Sequence, residues 1–119
     1  MKRDMDLVRS ILLELEKMNE FGLPTPINLP DFKPSEISYH VLIMYEAGLL
    51  DAKERSCDIR SPEWYPIRMT WLGHEFLDAS REPKRWEKAK EIALGAGGVT
   101  LEIMKAILID LIKKSVFGA

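Results

Sequence analysis

Residues 35–50 read Ser-Glu-Ile-Ser-Tyr-His-Val-Leu-Ile-Met-Tyr-Glu-Ala-Gly-Leu-Leu. Ile37, Val41 and Met44 recur at the spacing of one helical face, so the stretch predicts a helix capped by Ser35 and stopped at Gly48. Gly48 permits the left-handed exit that ends a helix, and Leu49 and Leu50 then close over the junction with the next element. The outward set of this helix is Ser38, Tyr39, Leu42, Tyr45 and Glu46, and no Lys or Arg stands between Ser35 and Gly48.

Upstream, residues 4–20 place Met5, Val8, Ile11, Leu12, Leu15 and Met18 on one face of a helix, with Asp4 as N-cap and Gly22 as stop. Prolines at 24, 26, 30 and 34 then forbid a regular helix and leave room only for an extended segment around Ile27 to Leu29. Downstream, Leu50 to Asp58 and Tyr65 to Trp71 read as the arms of a hairpin. Ile67, Met69 and Trp71 alternate inward, Arg68 and Thr70 outward, and Pro62 and Pro66 confine the tip to irregular backbone. Thr70 is placed to cap a short helix through Leu77, in which Gly73 lets the helix approach a neighbouring backbone closely. Pro83 starts a helix carrying Trp86, Ala89, Ile92 and Ala93 that Gly95, Gly97 and Gly98 end, and a last helix runs from Thr100 to about Val116. No internal repeat is visible.

Helix, extended segment, helix, two-stranded hairpin and return helix is the order of a winged helix. Ser38-Tyr39-His40-Val41, Met44 and Ala47-Gly48-Leu49-Leu50 resemble the recognition helix and exit turn of winged-helix regulators. Together with MKRDMDLVRSIL at the start, the MTWLGHEFLDASR segment, Trp86 and the Lys113-Lys114 ending, they resemble the bacterial and phage domain of unknown function 2513 over nearly the whole chain. The resemblance implies a mostly α fold with a small hairpin (α+β), a winged helix-turn-helix-like domain over 1–82 and a C-terminal helical extension over 83–119 in the same compact unit. It implies no particular activity. The proline-rich stretch departs from the pattern, leaving little or no room for the helix that normally precedes a recognition helix.

A chain of 119 residues suits one domain. Its 17 Lys+Arg against 19 Asp+Glu, net −2, lack the basic footprint of a protein that lives on nucleic acid. Contact with duplex DNA therefore has to come from local patches. Lys53, Arg55 and Arg68 share a strand parity, with Arg60 near the tip, and such a hairpin suits phosphate contacts, helped by Arg81, Lys84 and Arg85. Against this, Asp51, Glu54, Asp58 and Glu63 match the four hairpin cations one for one, which favours a solvated mixed-charge surface. Trp64 and Tyr65 read either as contacts for a partner or as a lid on the hairpin's inner face.

No catalytic, cofactor or metal site is legible. His74, Glu75 and Asp78 are better explained as surface and structural groups than as ligands, and Cys57 beside Asp58 is no activated nucleophile. Gly95-Ala96-Gly97-Gly98 follows a helix and lacks a Lys-Ser/Thr pair, so it is a linker rather than a phosphate loop. The lone cysteine, the early acids of MKRDMD and the lack of a long charge-free apolar run predict a cytoplasmic chain with no membrane partner. In the last helix Val99, Leu101, Ile103, Met104, Ile107, Leu108, Ile109, Leu111, Ile112, Val116 and Phe117 exceed one contact stripe, which suits either a homodimer interface through Met104, Ile107, Leu108, Leu111 and Ile112 or the central rod of the chain's own core. The expectation is a non-enzymatic winged-helix protein for macromolecular recognition. DNA binding is its leading specific form, and a protein-interaction module using Ser38, Tyr39, Leu42, Tyr45, Trp64 and Tyr65 is the alternative.

Overall fold

Asp4 sets the first element. Its carboxylate accepts from the amides of Asp6 and Leu7, at 2.9 and 3.4 Å, and α1 runs Met5–Glu16 with Met5, Leu7, Val8, Ile11, Leu12 and Leu15 buried. The helix stops short of residue 20. Its last turn tightens, Lys17 and Met18 donating to Glu14 and Leu15, and the chain then leaves to join a strand edge. There Gly22, at φ +102°, donates to the Ile67 carbonyl at 3.3 Å, and Thr25 donates to Pro66 at 3.1 Å. The computed structural model describes residues 1–55 and 62–118, so Cys57, Asp58 and Arg60 lie outside the described residues.

α2 spans Pro34–Glu46, two residues earlier than Ser35 capping predicts, with Lys33 in the cap position. Pro34 takes the first helical position, where its missing N–H costs nothing, and the Glu36 carboxylate reaches back to the Lys33 amide. Ile37, His40, Val41 and Met44 are buried, and Gly48 at φ +80° turns the chain into β1, Leu50–Glu54. β2, Trp64–Met69, pairs with β1 antiparallel, Leu50 facing Met69, Asp51 facing Arg68, Ala52 facing Pro66, Lys53 facing Tyr65 and Glu54 facing Trp64. Between Asp51 and Ala52 the register shifts, leaving Ile67 as the extra residue of a bulge.

The bulge corrects the predicted alternation. Pro66 takes the buried position, Ile67 and Met69 are half-buried, and Trp71 is 80 % exposed because it opens the next helix instead of ending the strand. That helix, α3, runs Trp71–Ser80. Thr70 caps it, its hydroxyl oxygen accepting from Gly73 at 3.1 Å while donating to Gly48 at 2.5 Å. A Cβ on Gly73 would lie 2.1 Å from the Leu49 carbonyl oxygen, so only glycine fits this approach.

α4, Pro83–Gly95, is capped by Glu82, and α5, Leu101–Phe117, by Thr100, which accepts from Ile103 at 3.2 Å. The chain divides into two units, Met1–His74 and Glu75–Ala119. In the first, α1 packs on α2 and β2, and α2 packs on both strands. In the second, α4 packs on α5, Trp86 meets Phe76 edge-on at 6.1 Å, and Ala89, Ala93, Met104 and Leu108 are fully buried. Five helices and one two-stranded hairpin among the described residues make this an α+β protein. Among those residues, no helix is long and apolar enough to cross a membrane.

Candidate recognition face

Two residues of the Ser38-Tyr39-His40 run are committed to holding the fold. The Ser38 hydroxyl accepts from the Trp64 amide at 2.8 Å and donates to the Pro62 carbonyl at 3.3 Å, tying α2 to the hairpin. His40 is buried. Its Nε2 accepts from the Asp4 amide at 2.8 Å and its Nδ1 lies 2.8 Å from the Glu36 carbonyl, which fixes the proton on Nδ1. One imidazole thus joins the start of α1 to the first turn of α2. Tyr39, between them, is 37 % exposed and meets the His40 ring edge-on.

The free side of α2 is aromatic and aliphatic. Tyr45 stacks on Trp64 with ring centres 6.1 Å apart, Leu42 is half-buried, and the Tyr65 hydroxyl donates to Glu63. Beside these rings lies a groove of about 810 Å³. Its walls are the proline-rich segment 26–34, the first two turns of α2, and residues 62–65 of the hairpin. Among the described residues, Glu63 is the only charged side chain in its lining. Helical spacing and the hairpin aromatics point to the wall of Tyr39, Leu42, Trp64 and Tyr65, but not to the opposite one, made by Pro26, Asn28, Leu29 and Phe32. A signal for the second wall exists: Ile27, Leu29 and Phe32 are apolar residues in a stretch whose prolines bar it from a helix, so they need another surface to cover.

The basic residues are arranged less favourably for a polyanion. Lys53, Arg55 and Arg68 are all exposed, but Arg68 pairs with Asp51 at 2.7 Å directly across the hairpin. Arg81 pairs with Asp78 at 2.8 Å, and Lys84 and Arg85 stand in the first turn of α4 beside the Glu82 carboxylate. That carboxylate is held below its ordinary pKa, first by the backbone N–H donors of Lys84 and Arg85 and then by their charges. His74 and Glu75 are exposed, and among the described residues no group of three or more His, Cys, Asp or Glu is placed to hold a metal ion. On α5, Met104 and Leu108 are wholly buried within the chain and therefore unavailable to a second copy, while Ile107, Leu111 and Ile112 are half-buried.

The model of the family described as "Hypothetical protein (DUF2513)" matches residues 2–99. The chain belongs to this family. The matched span contains α1 to α4, the hairpin and the whole groove, and ends just before α5. A relative from Haemophilus influenzae (strain ATCC 51907 / DSM 11121 / KW20 / Rd), described as "Uncharacterized protein", is 37 % identical over 91 residues, covering 76 % of each chain. No solved structure matches the chain.

Proposed function

We propose that this chain is a non-enzymatic recognition domain of winged-helix type, and that the face formed by α2, the proline-rich segment and the hairpin binds a protein partner. Element order supports the winged-helix reading, with α2 as the recognition helix and β1–β2 as the wing. The backbone bonds from Gly22 and Thr25 to the open edge of β2 supply the third, short strand-like contact such a wing sheet uses. The observation that carries the protein reading is the groove itself, about 810 Å³ of proline- and aromatic-lined surface with a single charged residue among the described ones. Interfaces between proteins are enriched in aromatic anchors and depleted of charge at their centres, whereas a duplex-reading helix offers Arg, Lys, Asn or Gln to base edges. α2 offers none of those, and its Ser38 and His40 are already engaged.

A second reading, contact with duplex DNA, is favoured by one observation: Lys53 and Arg55 are exposed on the wing and take no ion pair among the described residues. Self-association through α5 would use Ile107, Leu111 and Ile112. Photo-crosslinking in cells separates the two main readings. A benzophenone side chain at Tyr39 is expected to give protein adducts that Trp64→Ala abolishes, with the same group at Ile92 on α4 as the control. Nuclease-sensitive adducts at Tyr39 in place of protein adducts would contradict the protein reading.

A further inference from the structure

The groove offers free side-chain donors, and four of its lining residues, Pro26, Pro30, Pro34 and Pro62, supply no backbone donor to extend a sheet. The Asn28 amide, the Tyr39 hydroxyl and the Trp64 indole N–H have no hydrogen-bond partner among the described residues. Asn28 and Tyr39 are exposed, and because no buried side-chain polar atom among the described residues lacks a partner, the Trp64 indole N–H also reaches solvent. A fitting occupant is therefore largely apolar and able to accept from these donors. An extended polyproline II segment has those properties: it makes no internal hydrogen bonds, turns its carbonyls outward, and replaces N–H groups by rings at each proline. Tyrosine and tryptophan grooves take such segments by packing the rings and donating to the carbonyls. An amphipathic helix, with its carbonyls already satisfied, would leave these three donors facing apolar side chains.

Charge sets the direction. Glu63 is exposed at the hairpin end of the groove and is the only ionised lining group among the described residues, so a ligand cation is attracted there and an anion repelled. We propose that the groove between α2, the proline-rich segment and the hairpin binds an extended, proline-containing peptide segment carrying an Arg or Lys next to Glu63. The inference rests on the protein-partner reading and names the chemistry of that partner.

The test uses the full chain, isotopically labelled, titrated with a short synthetic peptide of alternating proline and leucine led by arginine. Expected are shifts of the Asn28 side-chain amide and the Trp64 indole resonance. Affinity should fall by about tenfold or more in Asn28→Ala or Trp64→Phe, the size of effect expected of a hot-spot contact. Asn28 is exposed, so its variant folds and keeps the test decisive. Glu63→Lys should reverse the preference, favouring the same peptide led by glutamate. Failure of both peptides to perturb the groove at millimolar concentration overturns the proposal. Stronger binding there by an amphipathic helical peptide also overturns it while leaving the protein-partner reading intact. Displacement of the peptides by random duplex DNA at the same resonances overturns both.

Discussion

At the scale of single residues, polar side chains of α2 are spent on architecture. His40 is the clearest case: its two ring nitrogens join the Asp4 amide to the Glu36 carbonyl, so it fixes where α1 begins relative to α2. Gly73 plays the complementary part, providing space in place of a bond. A Cβ there would meet the Leu49 carbonyl oxygen at 2.1 Å and Met69 Cγ at 2.6 Å. The carbonyl belongs to rigid backbone at the exit of α2, so α3 would have to back away and the Thr70 cap would loosen with it. Gly73→Ala is therefore expected to destabilise the chain by about 2–3 kcal/mol, as overpacking a tight contact does. Urea unfolding measures this, and an unchanged or higher midpoint would show that α3 does not approach Leu49 so closely.

At the scale of elements, the caps are legible in the sequence and the ends and faces less so. Asp4 and Thr70 can be read as caps because a short oxygen-bearing side chain ahead of an apolar run has few other uses, whereas Ser35, read the same way, lies inside α2 because Pro34 takes its first position. Residues 17–20 continue the helical pattern of α1, yet Gly22 and Thr25 find partners on β2, and no local spacing foretells that long-range capture. Trp71 misleads for a related reason: period-2 alternation points it inward, but the bulge at Ile67 and the Thr70 cap end the strand before it. The groove is half legible, since α2 announces one wall by its periodicity while the proline segment has no period to read. α4 permits a test of its own cap. The Glu82 carboxylate, its pKa lowered chiefly by the Lys84 and Arg85 amides, stabilises the fold while ionised, so its contribution is present above the unfolded carboxylate's pKa and lost as pH falls through the lower folded value. Comparing the native chain with Glu82→Ala in urea should show the native chain ahead at about pH 7, with the gap narrowing toward about pH 3. A gap that is constant or widens in acid would contradict this role.

At the scale of the whole molecule, charge decides which partner the recognition face suits. The chain carries a net charge of −2, the charged side chains of α2 between its caps are acids, and on the hairpin Arg68 is bound to Asp51. Four free hairpin cations on phosphates would give a log–log salt slope of roughly −3.6, whereas Lys53 and Arg55 alone would give about −1.8. Phosphate attraction of the weaker kind places affinity for arbitrary duplex no tighter than about 10⁻⁴ to 10⁻⁶ M at physiological salt. The central claim is that α2 and its groove meet a protein surface, and the most direct measurement follows backbone amide resonances while random-sequence duplex is added at about 20 mM and then about 150 mM salt. The expected result is weak perturbation around Lys53 and Arg55 at the lower salt, lost at the higher, with Tyr39, Leu42 and Tyr45 unmoved throughout. Shifts running along Tyr39, Leu42 and Tyr45 that persist at the higher salt would place DNA on α2 and contradict the claim.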